Sequence, residues 1–116
     1  MTVKEAYMKL EGNYDESLSR LMKEDLVKKF ALKFLDDKSF EDLTKALNEG
    51  RSEDAFRAAH TLKGVSANLA YTRLHNSAFE ITELLRYDKF LDAKALYQKV
   101  KEDYELTINA IKEIEV

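Results

Sequence analysis

Proline is absent from this chain of 116 residues, and glycine occurs only three times. Strands, hairpins and long loops rely on these two residues for their turns, so their scarcity disfavours a sheet-containing fold. Apolar residues recur instead at intervals of three and four, which is the spacing of one helix face. The sequence therefore predicts an all-α protein, and its length suits a single domain covering residues 1–116.

Capping signals and apolar stripes divide the first third of the chain into helices. Thr2 and Glu5 form a capping-box pattern before a short helix, and Gly12 follows where a helix end favours a positive φ. Apolar residues then recur with helical spacing over residues 18–35. They indicate one further helix, with a break near Met22 to Glu24 as the alternative.

The remaining sequence predicts four more helices separated by short connections. The first runs from Ser39, its predicted N-cap, to Gly50; the second from Ser52 to Asn68; and the third from Thr72 to Arg86. Asp88 is the predicted N-cap of the last. Connections of about two to six residues favour antiparallel neighbours. We therefore predict an antiparallel up-down four-helix bundle with an N-terminal helical appendage.

Composition excludes several classes of function. No apolar run exceeds three residues, and the N-terminus lacks the apolar stretch of a signal peptide. The chain has no cysteine, and its 22 acidic and 19 basic residues are interspersed, with no basic block for nucleic acid. We expect a cytoplasmic protein that binds neither membrane nor nucleic acid. Without a sustained second apolar seam, it is expected to be a monomer.

The helix from Ser52 to Asn68 separates into two faces at 100° per residue. His60 lies about 200° from Leu62, so it is predicted to face solvent opposite the core. The core stripe consists of Ala55, Ala58, Leu62, Val65 and Leu69, and the neighbours of His60 on its own face are Arg57, Lys63, Gly64 and Ala67. Glycine inside a helix costs up to about 1 kcal/mol relative to alanine, so Gly64 indicates that the space beside His60 is needed.

This combination of side chains suits a phosphoryl carrier. An exposed neutral imidazole is a nucleophile at cytosolic pH, and an ammonium at about 4 Å would contribute roughly 1–4 kcal/mol per unit charge, depending on the dielectric. The sequence has no Walker-type loop and no aspartate pair for magnesium beside His60. No cofactor is therefore expected in this chain, and the metal and the transfer geometry would come from a partner. From spacing alone, a surface histidine near a lysine is usually ordinary solvated surface, and Gly64 is the residue that favours a functional site.

Residues 60–69, "HTLKGVSANL", resemble the signature His-x-Leu-Lys-Gly-x-Ser/Ala of the histidine-containing phosphotransfer (HPt) domains of bacterial multistep phosphorelays. The similarity extends over residues 15–112. It implies a four-helix bundle that is not an enzyme itself but exchanges phosphate with the aspartate of a response-regulator receiver domain. That domain would supply magnesium, and a hybrid sensor kinase would be a second partner.

The resemblance also implies roles for individual residues. His60 would be phosphorylated at Nε2, Lys63 would stabilise the phosphoryl group, and Gly64 would give the partner access. Arg57 and Ala67 are candidate docking residues, although Arg57 can equally pair with Glu53 one turn earlier. Ser66 occupies the small polar position of the motif, but its angle, nearer the core, favours at least as much a role in packing and in a hydrogen bond to its own helix. The family commonly has glycine where this chain has Ala70, which would cost about 1–2 kcal/mol in a left-handed conformation.

Other residues receive ordinary structural interpretations. His75 has no Lys or Gly at the motif spacing and is predicted to be an ordinary surface residue. A metal site formed by His60 and His75 is only weakly indicated, because no carboxylate lies at ligand spacing. Phe79, Tyr97 and Tyr104 are interpreted as core aromatics, with a docking role for Phe79 as the weaker alternative. Two rival functions stay open, namely an adaptor that is never phosphorylated and the phosphotransfer module of a histidine kinase. The Met1 start and the lack of a linker favour a separate protein over the module.

Overall fold

A computed structural model describes residues 1–115 as helices joined by short turns. The α-helices are α1 (Val3–Lys9), α2 (Tyr14–Leu21), α3 (Glu24–Lys33), α4 (Ser39–Asn48), α5 (Ser52–Asn68), α6 (Thr72–Arg86) and α7 (Phe90–Lys112), and a 3-10 turn over Phe34–Asp36 follows α3. No strand occurs in this range. The prediction of an all-α fold is confirmed.

The helices α4 to α7 enclose the main core. Each of these helices contacts the helix that follows it in the sequence. Their inward side chains include Leu43, Leu62, Leu74, Ile81, Val100 and Ile111, each with at most traces of exposed surface. Burying such side chains fully contributes about 1.5–3 kcal/mol each, which is the main force holding the helices together.

Aromatic contacts bring α4 beside α7. Phe40 stacks on Tyr104 with ring centroids 4.1 Å apart and on Tyr97 at 5.7 Å. One turn along α4, Thr44 Oγ1 lies 2.7 Å from the hydroxyl oxygen of Tyr97. Because rising numbers on α4 meet falling numbers on α7, the two helices run in opposite directions. Tyr97 and Tyr104 are half-buried and pack against the core, as expected.

Local cap details differ from the sequence prediction at two helix starts. Ser39 is the first residue of α4, and its N–H donates to the carboxylate of Asp37 at 3.0 Å. Lys89 precedes α7, while Asp88 has a φ of +60° and does not cap it. Gly50 ends α4 with a φ of +69°, as its position predicts.

The stripe over residues 18–35 is divided between α2 and α3. Met22 has a φ of +70° and ends α2, so the interpretation with a break is correct. The side chain of Met22 is 81 % exposed, and Leu35 is also exposed, so neither belongs to the buried stripe. The break allows α2 and α3 to pack on each other and on the rest of the domain.

The prediction that Gly12 has a positive φ at the end of α1 is wrong. Its neighbour Glu11 has the positive φ, at +59°. A Cβ on Gly12 would instead lie 2.8 Å from the carbonyl oxygen of Ala70 and 2.8 Å from a methyl carbon of Leu10. The next residue, Asn13, donates its N–H to the same Ala70 oxygen at 2.8 Å. Gly12 is required for this close approach between chain segments.

We expect Gly12→Ala to lower the free energy of unfolding by about 1–3 kcal/mol, since the added methyl group has to displace a backbone carbonyl. Urea unfolding followed by circular dichroism measures the change. Gly50→Ala is a useful comparison, because its Cβ would meet no described atom beyond its chain neighbours within 4 Å and only the positive φ opposes it. An unfolding midpoint for Gly12→Ala equal to that of the wild type would contradict the close approach.

Ala70 adopts the left-handed conformation that glycine would favour, with a φ of +58°. This costs about 1–2 kcal/mol, but the N-terminal segment holds the end of α5 in place. Arg20 donates to the carbonyl oxygen of Ala67 at 2.7 Å, and the Tyr7 hydroxyl donates to that of Leu69 at 2.7 Å. These hydrogen bonds satisfy carbonyls that a helix end leaves without partners.

Candidate functional site

The helix α5 presents His60 to solvent. Glu53 and Asp54 lie in its first turn, where negative charge interacts favourably with the helix dipole. Leu62 is fully buried and Ala55 points into the core beside it, whereas His60 is exposed. The predicted orientation of the helix faces is therefore correct.

Phe56 lies against the imidazole of His60. Their ring centroids are 5.9 Å apart and the ring planes are inclined by 23°. The guanidinium of Arg86, on α6, lies 5.1 Å from the centroid of the same Phe56 ring. Neither residue was predicted from the sequence. The spacing of four from His60 could have identified Phe56, but the position of Arg86 depends on how α6 packs.

Lys63 rests on a second aromatic ring. Its Nζ lies 5.6 Å from the ring centroid of Phe79, which is within the range of a cation–π contact. Phe79 is 48 % exposed, so the interpretation of this residue as core is wrong. It forms part of the surface beside the candidate site.

His75 joins α6 to α5. Its Nδ1 lies 3.1 Å from the backbone carbonyl oxygen of Lys63, and its side chain is half-buried. The prediction of an ordinary surface histidine is therefore wrong. A neutral ring with hydrogen on Nδ1 can donate this hydrogen bond, so His75 supports the segment that carries Lys63.

Open space surrounds Gly64. A Cβ at this position would have no atom within 4 Å outside its own helix turn and chain neighbours. Gly64 is exposed and lies inside α5, where alanine would be more stable by up to about 1 kcal/mol. No contact within the described chain requires a glycine here.

Arg57 is exposed but engaged within its own helix. It pairs with Glu53, and its Nη1 lies 3.5 Å from Asp54 Oδ1. Such exposed pairs contribute little to stability. Ala67 is half-buried on the same helix. Both remain predicted docking residues.

Ser66 is fully buried. Its hydroxyl donates to the carbonyl oxygen of Leu62 at 2.7 Å and lies 3.1 Å from that of Lys63. The packing and hydrogen-bonding interpretation of Ser66 is confirmed, and its hydroxyl is directed away from the exposed face that carries His60.

The arrangement offers a nucleophilic imidazole, a nearby ammonium and free space on one exposed face. Within residues 1–115, no group of three or more His, Asp or Glu side chains is placed to hold a metal ion. None of the helices in this part of the chain has the length and apolar character needed to cross a membrane.

The family model described as Hpt domain matches residues 36–112, about the span of α4 to α7. The chain belongs to the Hpt domain family. The match leaves out residues 1–35, including the stretch from residue 15 that the sequence resemblance covered. No curated protein and no solved structure matched the chain.

Proposed function

We propose that this protein is a histidine phosphotransfer protein that relays a phosphoryl group between receiver-domain aspartates of a bacterial two-component phosphorelay. The observation that carries the proposal is His60, exposed on α5 of an Hpt domain, with open space at Gly64 one turn away. No contact within the described chain needs this free space. A partner's active site does need such space to reach the imidazole.

The transfer step follows from the chemistry of the imidazole. The lone pair on Nε2 of His60 attacks the phosphorus of an aspartyl phosphate, and the bond from phosphorus to the carboxylate oxygen breaks. The electron pair leaves with the carboxylate, while Nδ1 keeps its hydrogen. Return of the phosphoryl group to a second aspartate reverses these steps.

Lys63 stabilises the phosphorylated form in this proposal. Its flexible stem lets the ammonium leave the ring of Phe79, 5.6 Å away, for the incoming negative charge. At about 4 Å this attraction is worth roughly 1–4 kcal/mol, which stabilises a carrier but does not catalyse the transfer alone. The receiver domain would supply magnesium and the remaining catalytic groups, so this chain acts as a carrier rather than an enzyme.

Response-regulator receiver domains and a hybrid sensor kinase are the proposed partners, and the cytoplasm is the proposed location. The faces available to them are the exposed surfaces of α5 and α6 around His60. Arg57 and Ala67 would lie at this contact. The proposed form of the protein is a monomer, which leaves α5 accessible.

The decisive experiment treats the purified protein with phosphoramidate, a small phosphodonor for histidine. We expect one acid-labile, nitrogen-linked phosphate in the phosphorus NMR spectrum and one added phosphoryl group by intact mass. The labelled protein is then mixed with purified receiver domains and magnesium, and label should pass to an aspartate. A folded protein that takes up no phosphate, beside a working positive control, would favour the unphosphorylated adaptor.

A further inference from the structure

The contact between Phe56 and His60 has the geometry of an orienting interaction. The rings are 5.9 Å apart between centroids, and their planes are inclined by only 23°. Because the two residues are separated by one helical turn, their side chains are neighbours on the surface of α5. Offset stacking of two rings is favourable at this distance. The imidazole is therefore exposed but not free of contacts.

The ring of Phe56 is held from two directions. It is half-buried and packs against the hydrophobic core. The guanidinium carbon of Arg86 lies 5.1 Å from the ring centroid, and Arg86 Nε donates to Glu83 at 3.2 Å from Oε2. These contacts couple the ring to both α5 and α6. A ring held in this way provides a fixed surface for the imidazole.

Orientation limits how often an exposed histidine can react. In a helix, the side chain has about two accessible χ1 wells and a roughly two-fold χ2, giving about four ring orientations. Attack requires an orientation in which a nitrogen lone pair is directed at phosphorus. A neighbour that favours this orientation can raise the fraction of molecules whose imidazole is in the reactive orientation by up to about fourfold.

We propose that Phe56 is a positioning residue for phosphoryl transfer, and that Arg86 holds the ring of Phe56 in place. The inference rests on the proposed phosphotransfer function of His60. Phe56 acts through the imidazole and contacts no reacting atom of the donor. We therefore expect the loss of Phe56 to lower the phosphorylation rate at saturating donor. The donor concentration that gives half the maximal rate should stay unchanged.

The test compares Phe56→Leu, Phe56→Tyr and a matched control, Phe40→Leu. Phe40 is also half-buried, but it stacks on Tyr104 between α4 and α7. We expect Phe56→Leu to lower the saturating rate of phosphorylation by phosphoramidate by about twofold to fourfold. Phe56→Tyr should restore it, because the ring is retained, and Phe40→Leu should keep the wild-type rate.

Proton NMR of the unphosphorylated variants gives an independent readout. Phe56→Leu should remove the ring-current shift of the His60 ring protons and the cross-peaks between the two rings, and Phe40→Leu should leave them in place. If Phe56→Leu keeps both the wild-type saturating rate and the wild-type His60 proton signals, the positioning role is overturned. In that case, a wild type that accepts phosphate still upholds phosphotransfer. A wild type that accepts no phosphate, with the ring cross-peaks present, would refute phosphotransfer and with it the role of Phe56.

Discussion

Replacing His60 with glutamine should abolish the phosphoryl adduct formed with phosphoramidate, whereas His75→Gln should retain it. Glutamine has no basic ring nitrogen, so the lone pair that attacks phosphorus is lost. Because His60 is exposed and outside the core, the fold should survive the substitution. Intact mass and phosphorus NMR after equal treatment of both variants measure the adduct.

His75→Gln is the matched control, since His75 is the second of the two histidines in the chain. Glutamine can donate a hydrogen bond to the backbone carbonyl of Lys63, as the imidazole of His75 can. A lost adduct in His75→Gln together with a retained adduct in His60→Gln would assign the acceptor to His75. Adducts retained in both variants would show that His60 is not the sole acceptor.

The orientation of the His60 side chain toward solvent could be predicted from the sequence, because it depends on one helix alone. The angle between residues of α5 follows from the backbone period, and the burial of Leu62 fixes which side is inward. The angle of Ser66 on the same helix likewise favoured a packing role, in agreement with its burial. Such predictions need no knowledge of how one helix is placed against another.

The surroundings of His60 and Lys63 could not be predicted in this way. Phe79 and Arg86 come from α6, and their positions beside α5 depend on the rotation and shift of one helix against the other. An aromatic residue at helical spacing is typical of a core, yet Phe79 lies at the boundary between the two helices. Its partial exposure is a property of the assembled fold.

The backbone conformation of the turn after α1 also could not be predicted from the local sequence. A glycine after a short helix is typical of a left-handed helix end, but Glu11 takes that conformation. Gly12 is fixed instead by its approach to Ala70, which is distant in the sequence. The contact joins residues outside the family match to the end of the helix that carries His60.

Gly64→Leu should separate phosphorylation by a small donor from transfer with a protein partner. Leucine raises helix stability relative to glycine, and no described atom outside its own helix turn and chain neighbours lies within 4 Å of the new Cβ. Phosphoramidate should still reach His60. A receiver domain has to bring its aspartate to in-line geometry, and a misplacement of about 1 Å can cost about 100-fold in rate. We expect a loss of this size in the receiver reaction.

The measurement follows labelled phosphate from each variant to a receiver domain, beside urea unfolding of the same samples. Gly64→Ala should give a smaller loss and a higher unfolding midpoint, because the methyl group intrudes less while the helix gains stability. Gln98→Leu is the control, since it adds the same apolar side chain to an exposed position of α7. Wild-type transfer by a stable Gly64→Leu protein would show that partners do not need this space, and the glycine would then have no functional explanation.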